Sequence, residues 1–245
     1  MARLFHPVAD HPPPSIHLEG TGFHHLIHVL RLKPGDDVEV FDGRGRSFLG
    51  RVASIERGSA QIVLGPPAAS QPARYVLLVQ SLSKADKMEW IIQKGTELGA
   101  SAFAPVHSSR SVVRLRGARL EQRLQRWRTI AQQAARQCGR SDVPEIFPPE
   151  PIPARVEALS PTVRCFLLDE DEPAVSLNQA FSAAKTDRSP VALLIGPEGG
   201  FERGEVGALR QVGALPVSLG KAKLRTETAA IVALTILLHL DGRLG

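Results

Sequence analysis

The chain has 245 residues, 43% hydrophobic and 22% charged, a balance that supports a folded core and excludes intrinsic disorder. No apolar run approaches the roughly 20 residues needed to span a bilayer, and the opening MARLFHPVADHPPP has no secretory-signal pattern. No membrane partner is therefore expected, and a cytoplasmic location is. Two cysteines in no paired motif, Cys138 and Cys165, exclude a disulfide scaffold and a CxxC zinc site, and the net charge of +5 directs attention to where the charge sits.

Short strands and turns are predicted first. Six of the eight histidines fall within the first 28 residues, with His24, His25 and His28 close together. No matching carboxylate or cysteine set accompanies them, so no metal site is expected. Asp37 to Phe41 alternates polar and apolar residues, Asp42-Gly43 is a hairpin signal, and further strands are predicted around Phe48 to Ile55 and Gln61 to Leu64. This is a small β-barrel or β-sandwich module. GPPAASQPAR, residues 65–74, marks its boundary.

Beyond the boundary the rhythm changes. Val76 to Val79 is a continuous apolar run, a helix is predicted from about Lys87 to Leu98 with a glycine stop at Gly99, and Ala102 to Val106 is a strand. A long helix is predicted over Ala118 to Gln137, and further strands at Val163–Leu168, Val191–Ile195 and Pro216–Leu219. Buried strands alternating with helices imply an α/β fold, a mostly parallel sheet with helices on both faces. Trp90 and Trp127 are expected as core or interface anchors rather than base-stacking platforms.

A basic block and three segments stand out, the third of them Lys84 to Ala100, which reads by pattern alone as an amphipathic helix. From Arg110 to Arg140 nine arginines face a single acid, Glu121, with no lysine, whereas Ile152 to the end carries ten basic and eleven acidic residues. Guanidinium groups grip phosphate bidentately, so this block reads as a polyanion footprint, with a solvated helix face as the alternative. The run Leu193 to Phe201 takes an apolar strand into Gly196-Pro197-Glu198-Gly199-Gly200, which is neither a P-loop nor a Rossmann fingerprint but lies where open α/β sheets bind ligands. Val217 to Thr228 is a second strand end opening into a polar loop, with Thr226 or Thr228 placed to cap the apolar helix Ala229–Leu238. Arg225 and Glu227 stand against that helix, where a charge needs a partner.

Together with His25-x-x-x-Val29-Leu30-Arg31, Gly35-Asp36, Lys94-x-x-Glu97-Leu98-Gly99, Arg110-Ser111, Gln137-x-x-Arg140 and Val143-Pro144-Glu145-Ile146, these segments resemble the bacterial 16S rRNA (uracil-N3)-methyltransferases of the SPOUT class. The resemblance covers nearly the whole chain. One departure is Lys221-Ala222-Lys223, where the family usually carries a proline after the Leu-Gly step. The resemblance implies a PUA-like RNA-binding β-barrel over residues 1–70, and over 74–245 a knotted, SPOUT-type trefoil α/β domain. It further implies S-adenosylmethionine as cofactor, no metal, a homodimer, and N3 of a uridine in 16S rRNA of the 30S subunit, uridine 1498, as target.

Cofactor contacts are then expected from Leu194, Gly196, Pro197, Glu198, Gly199 and Gly200, and from Leu219, Gly220, Leu224, Arg225 and Glu227. Arg225 is the expected stabiliser of the uridine anion and Glu198 its partner or the proton acceptor, while Glu227 orients Arg225 or caps the helix. RNA contacts are expected from Arg31, Lys94, Arg110, Arg116, Arg119, Arg123 and Arg140. Two other readings stay open: a knotted methyltransferase with another target, such as a ribose 2′-hydroxyl, and a non-catalytic RNA-binding assembly factor.

Overall fold

Alternating apolar residues build the first sheet. The computed structural model describes residues 1–68, 73–111, 113–159, 161–171, 175–182 and 188–244, so part of the boundary segment lies outside the described residues. Strands β1 (Ala2–Phe5), β2 (Ser15–Glu19), β3 (Asp37–Phe41), β4 (Ser47–Glu56) and β5 (Ser59–Pro67) pair in the order β1-β3-β4-β5-β2, antiparallel except for β1 beside β3. One face buries Leu4, Ile16, Leu18, Val38, Val40, Phe48, Val52 and Ile62. The β3–β4 turn is closed by the buried carboxylate of Asp42, which accepts from the amides of Arg44 (2.8 Å) and Arg46 (3.1 Å), an Asx-type turn. Helix α1 (Gly20–His24) continues into a π-turn over His25–Val29, where the rings of His24 and His28 lie 4.5 Å apart.

Residues 1–72 group with Gln132–Val143 as one compact unit, and Ala73–Ala131 with Pro144–Gly245 as the other. In the first unit, Arg3 donates to the carbonyl of Arg140 at 3.1 Å and to Ser141 Oγ at 3.2 Å, and Asp142 bridges Gly43 and Arg44.

In the second unit, β6 (Val76–Ser81), β7 (Ala102–His107), β8 (Glu145–Ile146), β9 (Glu150–Pro151), β10 (Arg164–Leu168), β11 (Val191–Ile195) and β12 (Leu215–Val217) are parallel throughout. Their order is β12-β10-β11-β6-β7-β8, with β9 also beside β7. Every residue of β6 and β11 is buried, which explains their continuous apolar character. Helices α2 (Ala85–Leu98), α3 (Gly117–Cys138), α4 (Ile152–Glu157), α5 (Leu177–Ser182), α6 (Arg203–Gln211) and α7 (Thr226–Leu240) complete the chain, the residues of α3 from Gln132 onward counting with the first unit. Because side chains alternate along a strand, Leu77 and Val79 pack with α4 and α6, and the neighbouring Leu78 meets α2. That approach depends on Gly95: a Cβ there would lie 2.7 Å from the Phe103 ring. α2 and α5 in turn pack against α7.

Two local expectations are corrected. β12 ends at Val217 rather than Leu219, because Ser218 Oγ accepts from the Gly220 amide at 3.0 Å and turns the chain. Neither Thr226 nor Thr228 caps α7; the cap position is Arg225, without a side-chain cap, and the Thr226 hydroxyl is used elsewhere.

A buried ion pair joins the two ends of the second unit. Arg74 Nε donates to Asp241 Oδ1 at 2.8 Å and Nη1 to the Ser189 carbonyl at 2.8 Å, with the guanidinium over the Phe181 ring. The two side chains are 0% and 4% exposed. Removing one member of such a pair strands the other in low dielectric, so Asp241→Ala is expected to destabilise the protein by about 3 kcal/mol. Calorimetric unfolding should show the transition of this unit lowered by about 6–12 °C; a shift within error would mean that the pair contributes nothing.

Candidate functional site

The carboxyl ends of β10, β11 and β12 enclose a cavity of about 170 Å³, in the crevice where parallel α/β sheets take ligands. Apolar walls come from Leu168, Ile195, Leu219, Leu224 and Ala229, and carboxylates from Asp169, Glu170 and Glu198. Of the residues singled out in the sequence, Gly196, Pro197, Glu198, Gly200, Leu219, Gly220 and Leu224 line this cavity. Leu194 is wholly buried within β11, behind the wall. A Cβ on Gly199 would meet Arg110, at 3.4 Å. Leu168, Asp169 and Glu170 were not anticipated. Their signal is a charged Asp169-Glu170-Asp171 run directly after an apolar strand, the same strand-end rule that identified the other two loops.

The loops are held by few, specific contacts. The buried Thr226 hydroxyl donates to the Gly196 carbonyl at 2.6 Å and accepts from Gln80 Nε2 at 2.9 Å, tying the start of α7 to the ends of β11 and β6. At Gly196 a Cβ would come within 3.2 Å of the Phe201 amide nitrogen, so any larger residue would push the loop backbone outward by a few tenths of an ångström. Gly220 has φ +111°, a conformation that L side chains rarely adopt. Asp169 is held by Arg203 at 2.9 Å, and Glu170 meets Lys223 at 3.4 Å, so a lysine of the departing Lys221-Ala222-Lys223 segment closes on the rim.

The partner of Glu198 is Lys87 of α2, which also reaches α7. Its ammonium lies 2.9 Å from Glu198 Oε1 and 3.2 Å from Glu227 Oε2. Burial pushes the Glu198 carboxyl up, but the hydrogen bond from Lys87 and other favourable contacts outweigh it and hold the group below the usual range. The same hydrogen bond, with the one Lys87 donates to Glu227, raises Lys87. Arg225 is exposed at the α7 cap and has no ion-pair partner among the described residues.

The arginine block divides into paired and open members. Arg123 and Arg126 both meet Glu89 of α2, at 3.1 and 3.0 Å, and Arg140 meets Asp142. Arg110 Nη1 donates to the Gly199 carbonyl at 2.6 Å and the Ser109 amide to Glu205 at 2.7 Å, so the turn after β7 is stitched to the cavity loop. Arg114, Arg116 and Arg119 are exposed. Burial, then the charges of Arg114 and Arg116, push the His107 ring below its usual range. Arg31 is exposed with φ +55°, and Lys94 pairs with Glu97 at 2.9 Å. Among the described residues no three His, Cys, Asp or Glu side chains gather to hold a metal ion.

A family model described as RNA methyltransferase domain matches residues 70–238, and one described as RNA methyltransferase PUA domain matches residues 18–65. The chain is 31% identical over 227 residues to ribosomal RNA small subunit methyltransferase E of Bacillus subtilis, covering 91% of this chain and 89% of that protein. Identity to the protein of the same name from Mycobacterium bovis is 32% over 222 residues, covering 89% and 83%. Among solved structures, a ribosomal RNA small subunit methyltransferase E from Neisseria gonorrhoeae bound to S-adenosyl methionine superposes with a TM-score of 0.86 at 28% identity, covering 98% of each chain. A putative methyltransferase from Legionella pneumophila with bound SAM gives 0.77 at 28% identity, covering 97% and 96%.

The Lys87 bridge makes a pH-dependent prediction. A carboxyl depressed in the folded state contributes stability above its unfolded pKa of about 4.3 and loses it as pH falls through the lower folded value. Lys87→Met should therefore lower the melting temperature by about 2 °C at pH 7, the scale of a partly exposed pair. The difference between wild type and variant should narrow in melts as pH falls through that lower value, and a deficit of equal size at every pH would assign the effect to packing of the lysine stem instead.

Proposed function

The chain belongs to the RNA methyltransferase family with a PUA domain, that of ribosomal RNA small subunit methyltransferase E, and from this membership we propose that it methylates N3 of a uridine in 16S rRNA, uridine 1498 by resemblance. The observation that carries the reading is the cavity at the ends of β10, β11 and β12. Its chemistry fits S-adenosylmethionine: apolar side chains suit the adenine, and a wall that carries both carboxylates and lysines, Asp169, Glu170 and Glu198 with Lys221 and Lys223, suits a ligand bearing a sulfonium, an ammonium and a carboxylate. When bound, that cofactor supplies an electrophilic methyl group. Gly196, Pro197, Gly200, Leu219, Gly220 and Leu224 would hold it, with Leu194 and Gly199 behind the wall and Arg225 and Glu227 beside it.

Attack by uridine N3 requires its proton to leave and the acceptor to be aligned. Glu198, kept ionised by Lys87, lies on the cavity wall and accepts the N3 proton. Arg225, unpaired among the described residues, is available to stabilise negative charge on the uracil ring. The barrel of the first unit, with Arg31 and Arg140, and the open arginines of the second engage RNA phosphates; Lys94, Arg110 and Arg123 also take part once their protein partners yield. The trefoil path, a homodimer formed through the apolar face of α7, and a cytoplasmic site of action in which the 30S subunit is the partner complete the proposal.

Mass spectrometry of 16S rRNA tests the target: small subunits from a strain lacking the gene should gain one N3-methyluridine on incubation with the purified protein and S-adenosylmethionine. A methyl group on a ribose 2′-oxygen would transfer the chain to the alternative target class. Gly220→Val should weaken S-adenosylmethionine binding by at least about tenfold in calorimetry, since a β-branched residue at φ > 0 must rearrange the loop. Unchanged affinity would remove the β12 loop from the site. Replacing Arg114, Arg116 and Arg119 by alanine should reduce the slope of log K against log salt by about 2–3 for RNA while leaving cofactor affinity intact. An unaltered slope would return these residues to the role of a solvated face.

A further inference from the structure

A second cavity, about 280 Å³, lies on the other side of Glu198. It is lined by Leu82, Ser83, Lys84, Lys87, Val113 and Glu198, so Glu198 forms part of both cavities. The volume far exceeds the roughly 10–15 Å³ that a single water needs. Lys87 and Glu198 pair with each other across it, at 2.9 Å, while two further polar groups are unspent. Ser83 is 3% exposed, and its Oγ has no hydrogen-bond partner among the described residues. A buried hydroxyl left in that state costs free energy unless a ligand completes it. Lys84 is exposed at the cap of α2 and has no ion pair among the described residues. Leu82 and Val113 supply apolar surface for the faces of a ring.

We propose that this cavity is the subsite for the acceptor base, a uracil turned out of its RNA strand, with Ser83 and Lys84 donating to the ring carbonyls and Glu198 accepting N3–H. The inference rests on the methyltransferase reading above. Two donors and one acceptor are the complement of the edge of a pyrimidine-2,4-dione, in which N3–H lies between two carbonyl oxygens. Cytosine would turn a lone pair at N3 towards the Glu198 carboxylate and an amino group towards a donor, so the same three groups reject it. Extruded RNA bases are read along this edge. The shared position of Glu198 gives the arrangement its chemical sense: as the N3–carbon bond forms and the sulfur–methyl bond breaks, the N3 proton passes to Glu198 and on to solvent, and sulfur is left as a neutral thioether.

The test uses the full chain and two variants, Ser83→Leu to fill the cavity and Ser83→Ala to remove only the hydroxyl. In saturation-transfer NMR with uridine 5′-monophosphate or cytidine 5′-monophosphate as probe, the wild type should saturate the uracil ring protons preferentially. Ser83→Leu should abolish that contact while calorimetric affinity for S-adenosylmethionine is unchanged. Ser83→Ala should lower kcat/KM on small ribosomal subunits by about tenfold, the scale of one hydrogen bond withheld from a buried partner. If Ser83→Leu proves unfolded in a thermal melt, the Ser83→Ala measurements decide alone. Full uracil contact and turnover in the folded variants would overturn the subsite while leaving the methyltransferase reading intact. A wild-type protein that binds no S-adenosylmethionine and methylates no uridine would instead overturn the reading beneath it.

Discussion

The hydroxyl of Thr226 is the joint on which the candidate site depends. It is buried between the carbonyl of Gly196 and the amide of Gln80, at 2.6 and 2.9 Å. Through these two bonds one side chain fixes the end of β6, the loop after β11 and the first turn of α7. Each bond is worth only about 0.5–1.5 kcal/mol in net stability. Their importance is positional: they anchor the start of the loop carrying Gly196 to Gly200, which Arg110 and Lys87 hold further along at Gly199 and Glu198. Lys87 makes the corresponding electrostatic joint, holding Glu198 and Glu227 against α2.

Charge is sorted along the second unit in a way that suits two different ligands. Carboxylates of Asp169, Glu170 and Glu198 border the cavity at the strand ends, each matched by a cation, Arg203, Lys223 or Lys87, so the wall offers both signs of charge to a zwitterionic small molecule. Exposed Arg114, Arg116 and Arg119 stand in the segment that follows β7 and opens α3, which favours a polyanion. Arg110 belongs to both settings, since it lies within the arginine block and yet donates to the Gly199 carbonyl. Glu89 offsets Arg123 and Arg126, so the field of the block falls mainly to the arginines that remain open.

Much of the fold was legible where burial is two-sided or alternation is strict. β6 and β11 announce themselves as apolar runs because both faces are covered, and β3 and β4 as alternation because only one is. β1 and β2 escaped notice: each spans only four or five residues, and its pairing is decided by strands far along the chain. The grouping of residues 132–143 with the N-terminal unit rests on contacts such as Arg3 to the Arg140 carbonyl, which no local pattern encodes. In the site, Gly196 to Gly200 stood out because glycine and proline at a strand end are costly without a purpose. Asp169 and Glu170 did not, because acids after a strand are ordinary surface residues until a neighbouring loop encloses them. Lys87 was read only as part of a helix and Ser83 not at all, since their surroundings arise where the loop after β11 meets α2. What the cavity holds was indicated by family resemblance rather than by any periodicity.

Hydrogen exchange read by mass spectrometry addresses the central claim directly, that the ends of β10, β11 and β12 hold S-adenosylmethionine. Exchange reports local opening segment by segment, so a bound ligand slows the amides of the loops that close on it. Adding the cofactor to the full-length protein should protect peptides covering 195–202 and 217–225, and more weakly 168–171, while peptides from β3 to β5 exchange as before. Unchanged exchange in all three loops at saturating cofactor, or protection confined to the N-terminal sheet, would contradict the account.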